Sequence, residues 1–120
     1  MEPRVLPESP KSDAVDDLIS KGWTSYSKGD LDVAEESFRK AISLNPRSVE
    51  AFYSLGIVIK SQDRKKEAIS AFQHVIKLIE EKALDDRMRS AMLRRLALGH
   101  VNFAKTGDWN LEKEIWKRKS

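Results

Sequence analysis

Few residues of this chain have the types and spacing that chemistry requires. The two histidines, His74 and His100, are 26 positions apart and fall on different predicted helices, with His74 expected to point outward. No cysteine is present, which excludes disulfides, thiolate metal sites and cysteine nucleophiles together. The neighbouring Asp85 and Asp86 suit the start of a helix, where carboxylates offset the positive end of the helix dipole. The sequence therefore predicts a non-catalytic protein with no metal and no cofactor.

The composition is that of a soluble helical protein. The chain has 120 residues, of which 40% are hydrophobic and 34% are charged. No apolar run approaches the roughly 18 residues that a membrane-spanning helix needs. Residues 1–11 carry three of the four prolines and no apolar core of a signal peptide, so we expect a disordered tail there. One domain at residues 12–120 and a cytoplasmic location are the corresponding expectations.

Charge is distributed unevenly between the two halves of the chain. Residues 1–59 contain 7 Lys and Arg against 10 Asp and Glu, whereas residues 60–120 contain 15 against 9. Basic residues of the second half could contact phosphates, which leaves nucleic-acid binding as a less favoured alternative. Acidic residues are interspersed among them, however, and mixed signs at helical spacing are typical of a solvated surface.

A 34-residue repeat is the strongest pattern in the sequence. Residues of the same type recur at this spacing in four pairs: Gly22 and Gly56, Ala34 and Ala68, Phe38 and Phe72, Leu44 and Leu78. A glycine inside a helix costs about 0.5–1 kcal/mol relative to alanine, so its recurrence indicates two helices that approach closely. Gly99 fits the same crossing position, while Gly29 and Gly107 fit turns. The pattern predicts one helical hairpin that occurs twice and a looser third copy.

Capping and breaking residues predict where the helices begin and end. We expect helices at residues 12–28, 31–44, 48–61, from 63 onward, and 86–105, with Ser12 capping the first helix and Pro46 following the second. Gly56 and Gly99 are 43 positions apart, nine more than one repeat. Because no proline interrupts the fourth helix, we expect that helix to be extended, with a break at residues 83–86 and Asp85 capping the next helix.

The period and the residue types resemble the tetratricopeptide repeat. The resemblance is close over residues 15–78 and loose over 86–118, where Trp109, Leu111, Ile115 and Trp116 are similar to the start of a second helix that is irregular or truncated. It implies an all-α, right-handed solenoid of about three antiparallel hairpins, at about residues 15–48, 49–82 and 86–120. A helix extension of nine residues would separate the second repeat from the third.

In this family the first helices of successive hairpins form an inner, concave wall that usually holds a segment of a partner. Transferred by register, steps of four and three residues place nine side chains on that wall: Ile19, Trp23, Tyr26, Tyr53, Ile57, Lys60, Leu96, His100 and Phe103. Seven of the nine are aliphatic or aromatic. The resemblance therefore implies a protein-interaction module or scaffold that binds a mainly apolar peptide or helix, with Trp23 and Tyr53 as anchors.

Some family members grip a C-terminal carboxylate with Lys and Asn on this wall. The matching positions here hold Ile19, Trp23, Ser54, Leu93 and Ala97, none of which can clamp a carboxylate.

Three other uses of the wall stay open at this point. Trp23, Tyr26 and Phe103 could instead complete the core of a tightly curled array. Val5 and Leu6 could fill the wall as an extended segment of the same chain. Alternatively, the last helix, with Trp109 and Trp116, could pair with a second copy to form a homodimer.

Overall fold

Helices make up most of the chain that the structure describes. The computed structural model describes residues 10–107, with side chains from residue 13 onward. Within this part there is no strand, and the five helices are α1 Pro10–Ser27, α2 Leu31–Leu44, α3 Val49–Ser61, α4 Lys65–Glu80 and α5 Arg87–Thr106. The predicted all-α class is confirmed. The expected tail before residue 10 and the helix expected around residues 109–118 lie outside the described residues.

The start of α1 differs from the prediction. The helix begins at Pro10, so Ser12 lies inside it and does not cap it. Proline is favoured at the first helical position because the N–H that it lacks would have no partner within the helix there. The first helix therefore begins two residues earlier than expected.

Each hairpin turns through one residue in the left-handed conformation. Gly29 follows α1 with φ 82°, and Asp63, 34 positions later, follows α3 with φ 62°. In both turns the next backbone N–H bonds back to the last turn of the helix, from Asp30 to Ser25 at 2.9 Å and from Arg64 to Ile59 at 3.2 Å. The same turn is therefore built twice, once with glycine and once with aspartate.

The glycines at the helix crossings are explained by the rings beneath them. An added Cβ at Gly56 would lie 2.7 Å from the ring of Phe72, and one at Gly22 would lie closer still to the ring of Phe38. Both phenylalanines are fully buried in the main core, together with Ala34 and residues of α3, α4 and α5. The repeated glycine therefore makes room for the repeated aromatic ring.

The nine extra residues between Gly56 and Gly99 are divided among three places. Relative to the preceding repeat, α4 is two residues longer, the connection to α5 is two residues longer, and α5 has five more residues before its glycine. The expected extension of α4 is therefore small, and most of the excess lies in α5. Lys82, with φ 61°, ends α4 in the left-handed conformation.

Asp86 caps α5, not Asp85. The Asp86 side chain accepts a hydrogen bond from the backbone N–H of Arg89 at 3.0 Å. Ser48 does the same for α3, accepting from the N–H of Ala51 at 3.2 Å. The two connections between hairpins thus end on the same kind of cap.

Charged side chains link neighbouring hairpins on the surface. Arg47 donates to Glu81, its counterpart 34 positions later, at 3.1 Å, and Arg64 donates to Glu35 at 2.9 Å. Burial raises the pKa of Glu35, but the hydrogen bonds from Arg64 and Arg39 outweigh it and leave the pKa below its ordinary value. Exposed ion pairs contribute little stability each, so the stacking of the hairpins depends mainly on the apolar core.

Candidate protein-binding surface

The nine predicted wall residues lie on α1, α3 and α5, and the α1 part combines one exposed ring with one anchored ring. Trp23 is 36% exposed and meets the rings of Tyr26 and Phe38 edge to face, each with its centroid 5.4 Å away. Tyr26 is half-buried, and its hydroxyl lies 2.9 Å from the hydroxyl of Ser61 at the end of α3. Ile19 is half-buried against the core. Trp23 is therefore the most exposed of the three wall residues on α1.

The α3 part of the wall is more deeply set. The Tyr53 ring packs edge to face on Phe72 with centroids 5.6 Å apart, and burial raises the pKa of its hydroxyl. That hydroxyl lies 3.2 Å from Nε2 of His100 on α5. Ile57 is half-buried against the core, whereas Lys60 is exposed. Tyr53 thus links two hairpins while it keeps part of its ring accessible.

His100, which was predicted to face the groove, is mostly buried against Tyr53 and Phe72. It is only 9% exposed, because its ring stacks on Phe72 with centroids 4.5 Å apart and an interplanar angle of 12°. Burial, followed by the nearby charge of Lys60, lowers its pKa to about 4, so the ring is neutral at pH 7. Lys60 Nζ lies 3.4 Å from Nδ1. Since an ammonium can only donate, Nδ1 accepts, and Nε2 carries the proton that is donated to Tyr53.

The other α5 residues of the wall differ in exposure. Phe103 is 47% exposed, and Lys60 Nζ lies 5.5 Å from its ring centroid in a cation–π contact. Leu96 is half-buried. The wall therefore has one exposed aromatic on α1 and one on α5, with partly buried tyrosines, aliphatic residues and one lysine between them.

The remaining candidates for chemistry have structural roles. His74 was expected to point outward but is half-buried, with its ring centroid 4.2 Å from that of Phe52. Asp86 is engaged as a helix cap, and Asp85 is exposed beside it. Within residues 13–107, no group of three or more His, Asp and Glu side chains is arranged to hold a metal ion.

Two features of the wall were not found from the sequence. Ser61, which lies against the Tyr26 hydroxyl, recurs 34 positions after Ser27, but its pairing with Tyr26 depends on how two hairpins stack and so could not be found from the repeat. Phe72 lies beneath both Tyr53 and His100 and had a signal as a repeated core residue, but not as the floor of the wall.

Across the described part of the chain, no helix is both long and apolar enough to cross a bilayer.

These hairpins and their stacking define the class of helical-repeat proteins, and comparison with known proteins identifies the repeat. Residues 24–63 match a family model described as TPR repeat, and residues 49–82 match one described as Tetratricopeptide repeat. The TPR repeat-containing protein MJ1428 of Methanocaldococcus jannaschii is 32% identical over 59 residues, which are 49% of this chain and 10% of that protein. The match thus spans about a tenth of that relative.

A solved structure shows the same fold over nearly the whole chain. The N-terminal domain of stress-induced protein-1 (STI-1) from C. elegans superposes with a TM-score of 0.73 at 19% identity, covering 92% of this chain and 85% of that one. Residues 24–82 thus match tetratricopeptide repeats, and the fold is a TPR-like helical solenoid. Tetratricopeptide repeats are in general modules for protein–protein interaction, which supports an interaction module in general for this chain.

Proposed function

We propose that the chain binds a mainly apolar peptide or helix of a partner protein along the wall formed by α1, α3 and α5. The observation that carries this proposal is the exposure of Trp23 and Phe103, 36% and 47%, on a wall whose other members are mostly half-buried. Large aromatic rings at a partly desolvated surface are typical hot spots of protein interfaces. Tyr53 supplies a third contact between them, and Lys60 a cation at the Phe103 end.

The two tyrosines suit a pre-organised surface. The hydroxyls of Tyr26 and Tyr53 are held by Ser61 and His100, so their rings lose little freedom when a ligand binds. Binding to a surface that is already ordered costs less entropy than binding to a mobile one. The same hydrogen bonds join α1 to α3 and α3 to α5, so the wall acts as one unit.

The proposal is tested with peptides selected on the protein itself. A displayed library of random 12-residue peptides is selected against the full chain, and the affinity of the selected peptides is then measured for the wild type, Trp23→Ala and Phe103→Ala. We expect apolar residues to be enriched and each substitution to weaken binding about tenfold, which corresponds to about 1.4 kcal/mol. Gln73→Ala, at an exposed site on α4, is the matched control and should bind like the wild type.

Two results would contradict the proposal. Selected peptides that bind Trp23→Ala and Phe103→Ala as tightly as the wild type would place the binding surface elsewhere, provided that the circular dichroism melting curves show both variants folded. A mass in light scattering that rises with protein concentration, and falls back on Trp23→Ala, would mean that a second copy covers the wall in a homodimer.

A further inference from the structure

The first half of α5 carries the two most exposed large apolar side chains among the described residues. Met88 is 83% exposed and Met92 is 52% exposed. At about 100° per residue, Met88, Met92 and Arg95 fall within about 60° of one another around the helix axis. The buried residues Leu93 and Ala97 lie on the opposite side. We call the surface formed by Arg87, Met88, Met92 and Arg95 the α5 ridge.

Comparison with the other hairpins shows that Met92 stands at a position which is normally covered. Met92 precedes Gly99 by seven residues, and the residues seven positions before Gly22 and Gly56 are Val15 and Val49, which are only 5% and 3% exposed. Met88 lies within the five-residue extension at residues 87–91, which has no counterpart in α3. Met92 thus stands at a position that is buried in the first two hairpins, and Met88 lies one turn before it, in a stretch of helix that α3 lacks.

In the first two hairpins the valine at this position lies in an apolar cluster with a residue of the second helix, Val15 with Ala41 and Val49 with Val75. Ala41 and Val75 each lie 19 positions after the glycine of their hairpin. The corresponding position of the third hairpin, residue 118 or 119, lies outside the described residues.

The charged side chains of the ridge itself are arginines, and Asp85 and Asp86 lie just before its first residue. Arg87 and Arg95 are exposed and form no ion pair with another residue of the described part of the chain. Arg89 and Arg94 on its flanks pair with Glu50 and Glu80, the latter at 3.7 Å. Residues 87–95 contain four arginines and no acidic residue.

We propose that the α5 ridge is a second docking surface, distinct from the wall, and that it binds an acidic amphipathic helix of a partner. Two methionines one helical turn apart offer an apolar strip about one to two turns long, and methionine adapts to irregular partners. Glutamates beside the apolar stripe of the partner helix would pair with Arg87 and Arg95. The methionines at the centre of the ridge offer nothing to a phosphate backbone, which favours a protein partner over a nucleic acid.

The test follows the methionine methyl groups directly. The full chain contains three methionines, Met1, Met88 and Met92, so methyl-labelled protein gives only three such NMR signals. Two synthetic 15-residue helical peptides are titrated into it, one with a leucine stripe flanked by glutamates and one with lysines in place of the glutamates. We expect the glutamate peptide to shift the Met88 and Met92 signals and the lysine peptide to leave them unchanged.

Variants separate the ridge from the wall. Met88→Glu with Met92→Glu, and separately Arg87→Glu with Arg95→Glu, should each weaken binding of the glutamate peptide at least tenfold. Trp23→Ala should leave it unchanged. These four ridge residues are exposed, so the variants are expected to keep the wild-type melting temperature.

Several outcomes would overturn the proposal. Equal binding of both peptides would show that charge does not select the ligand, and loss of binding only on Trp23→Ala would place the peptide on the wall. Methyl signals that shift on dilution of the protein alone would make a second copy the occupant. A single-stranded RNA could instead bind with micromolar affinity. If the arginine substitutions abolished that binding and the methionine substitutions left it unchanged, the ridge would be assigned to nucleic acid.

Discussion

At the scale of single residues, the wall aromatics divide into rings that join neighbouring hairpins and rings that are more exposed. The hydroxyls of Tyr26 and Tyr53 contact residues of the next hairpin, whereas the rings of Trp23 and Phe103 are more exposed. The sequence predicted that these residues share a face, because steps of three and four residues fix direction around a helix. The sequence did not predict how deeply each of these side chains is buried. His100 is buried because residues from α3 and α4 meet it, and their positions depend on packing between hairpins.

His100 gives the protein a pH dependence whose sign can be stated. Its pKa is about 4 in the fold against about 6.5 for the ordinary side chain, so between these values the unfolded chain binds the proton that the folded chain excludes. The free energy of unfolding therefore falls as the pH is lowered from 6.5 to 4, by about 1–3 kcal/mol. Urea titrations at several pH values measure this.

The matched comparison is His100→Gln, which removes the titrating ring but keeps a hydrogen-bonding group. The difference in stability between wild type and variant should shrink as the pH falls through this window, because only the wild type loses the contribution of the neutral ring. Lys60→Met should make the dependence shallower, since the lysine charge is the second cause of the low pKa. Parallel curves for wild type and His100→Gln would show that the buried ring does not set the pH dependence.

At the scale of helices, glycines and prolines next to helix ends determined which helix bounds could be predicted. The bounds of α2 were predicted correctly at Leu31–Leu44, because Gly29 and Pro46 bracket it. The end of α4 was not, because no glycine or proline lies between residues 80 and 86 and the chain turns there at Lys82 with φ 61°. Lysine rarely adopts this conformation, so its identity carries no signal for a turn. The sequence likewise could not show which of the adjacent residues Asp85 and Asp86 caps α5.

The helix crossings allow a prediction in which two effects oppose each other. Replacing a mid-helix glycine by alanine ordinarily stabilises by about 0.5–1 kcal/mol. At Gly22 and Gly56 the new Cβ would meet the ring of Phe38 or Phe72, which is fully enclosed and cannot withdraw without strain. Overpacking costs about 1–3 kcal/mol, so we expect both substitutions to be destabilising in urea or thermal unfolding.

Two controls isolate the clash. Ser70→Ala changes an exposed mid-helix residue of α4 and should alter stability by at most a few tenths of a kcal/mol. In a Phe38→Leu background, Gly22→Ala should cost less than in the wild type, because the two positions are coupled. If Gly22→Ala stabilised the protein in both backgrounds, the glycine would not be serving the aromatic ring.

At the scale of the whole molecule, the repeat pattern predicted the architecture because each hairpin repeats the same local contacts. The nine-residue irregularity has a consequence that the pattern could not show. It lengthens α5 beyond its counterpart α3 and so adds Arg87 and Met88 to the ridge, whereas the wall lies on positions that recur with the repeat. The wall could thus be predicted from the repeat, whereas the ridge was recognised only from the helix bounds in the structure.

The two crossing glycines also test how stability is distributed along the solenoid. Their local geometry is nearly the same, but Gly22 lies in the first hairpin, whereas Gly56 lies in the hairpin packed between α2 and α5. In a solenoid each hairpin is stabilised by its own contacts and those with its neighbours. Gly22→Ala should therefore lower hydrogen-exchange protection in α1 and α2 and leave α5 nearly unchanged, whereas Gly56→Ala should lower it in all five helices. Loss of protection in α5 equal to that in α1 on Gly22→Ala would mean that the hairpins unfold as one cooperative unit, and that a ligand on the wall stabilises the α5 ridge as well.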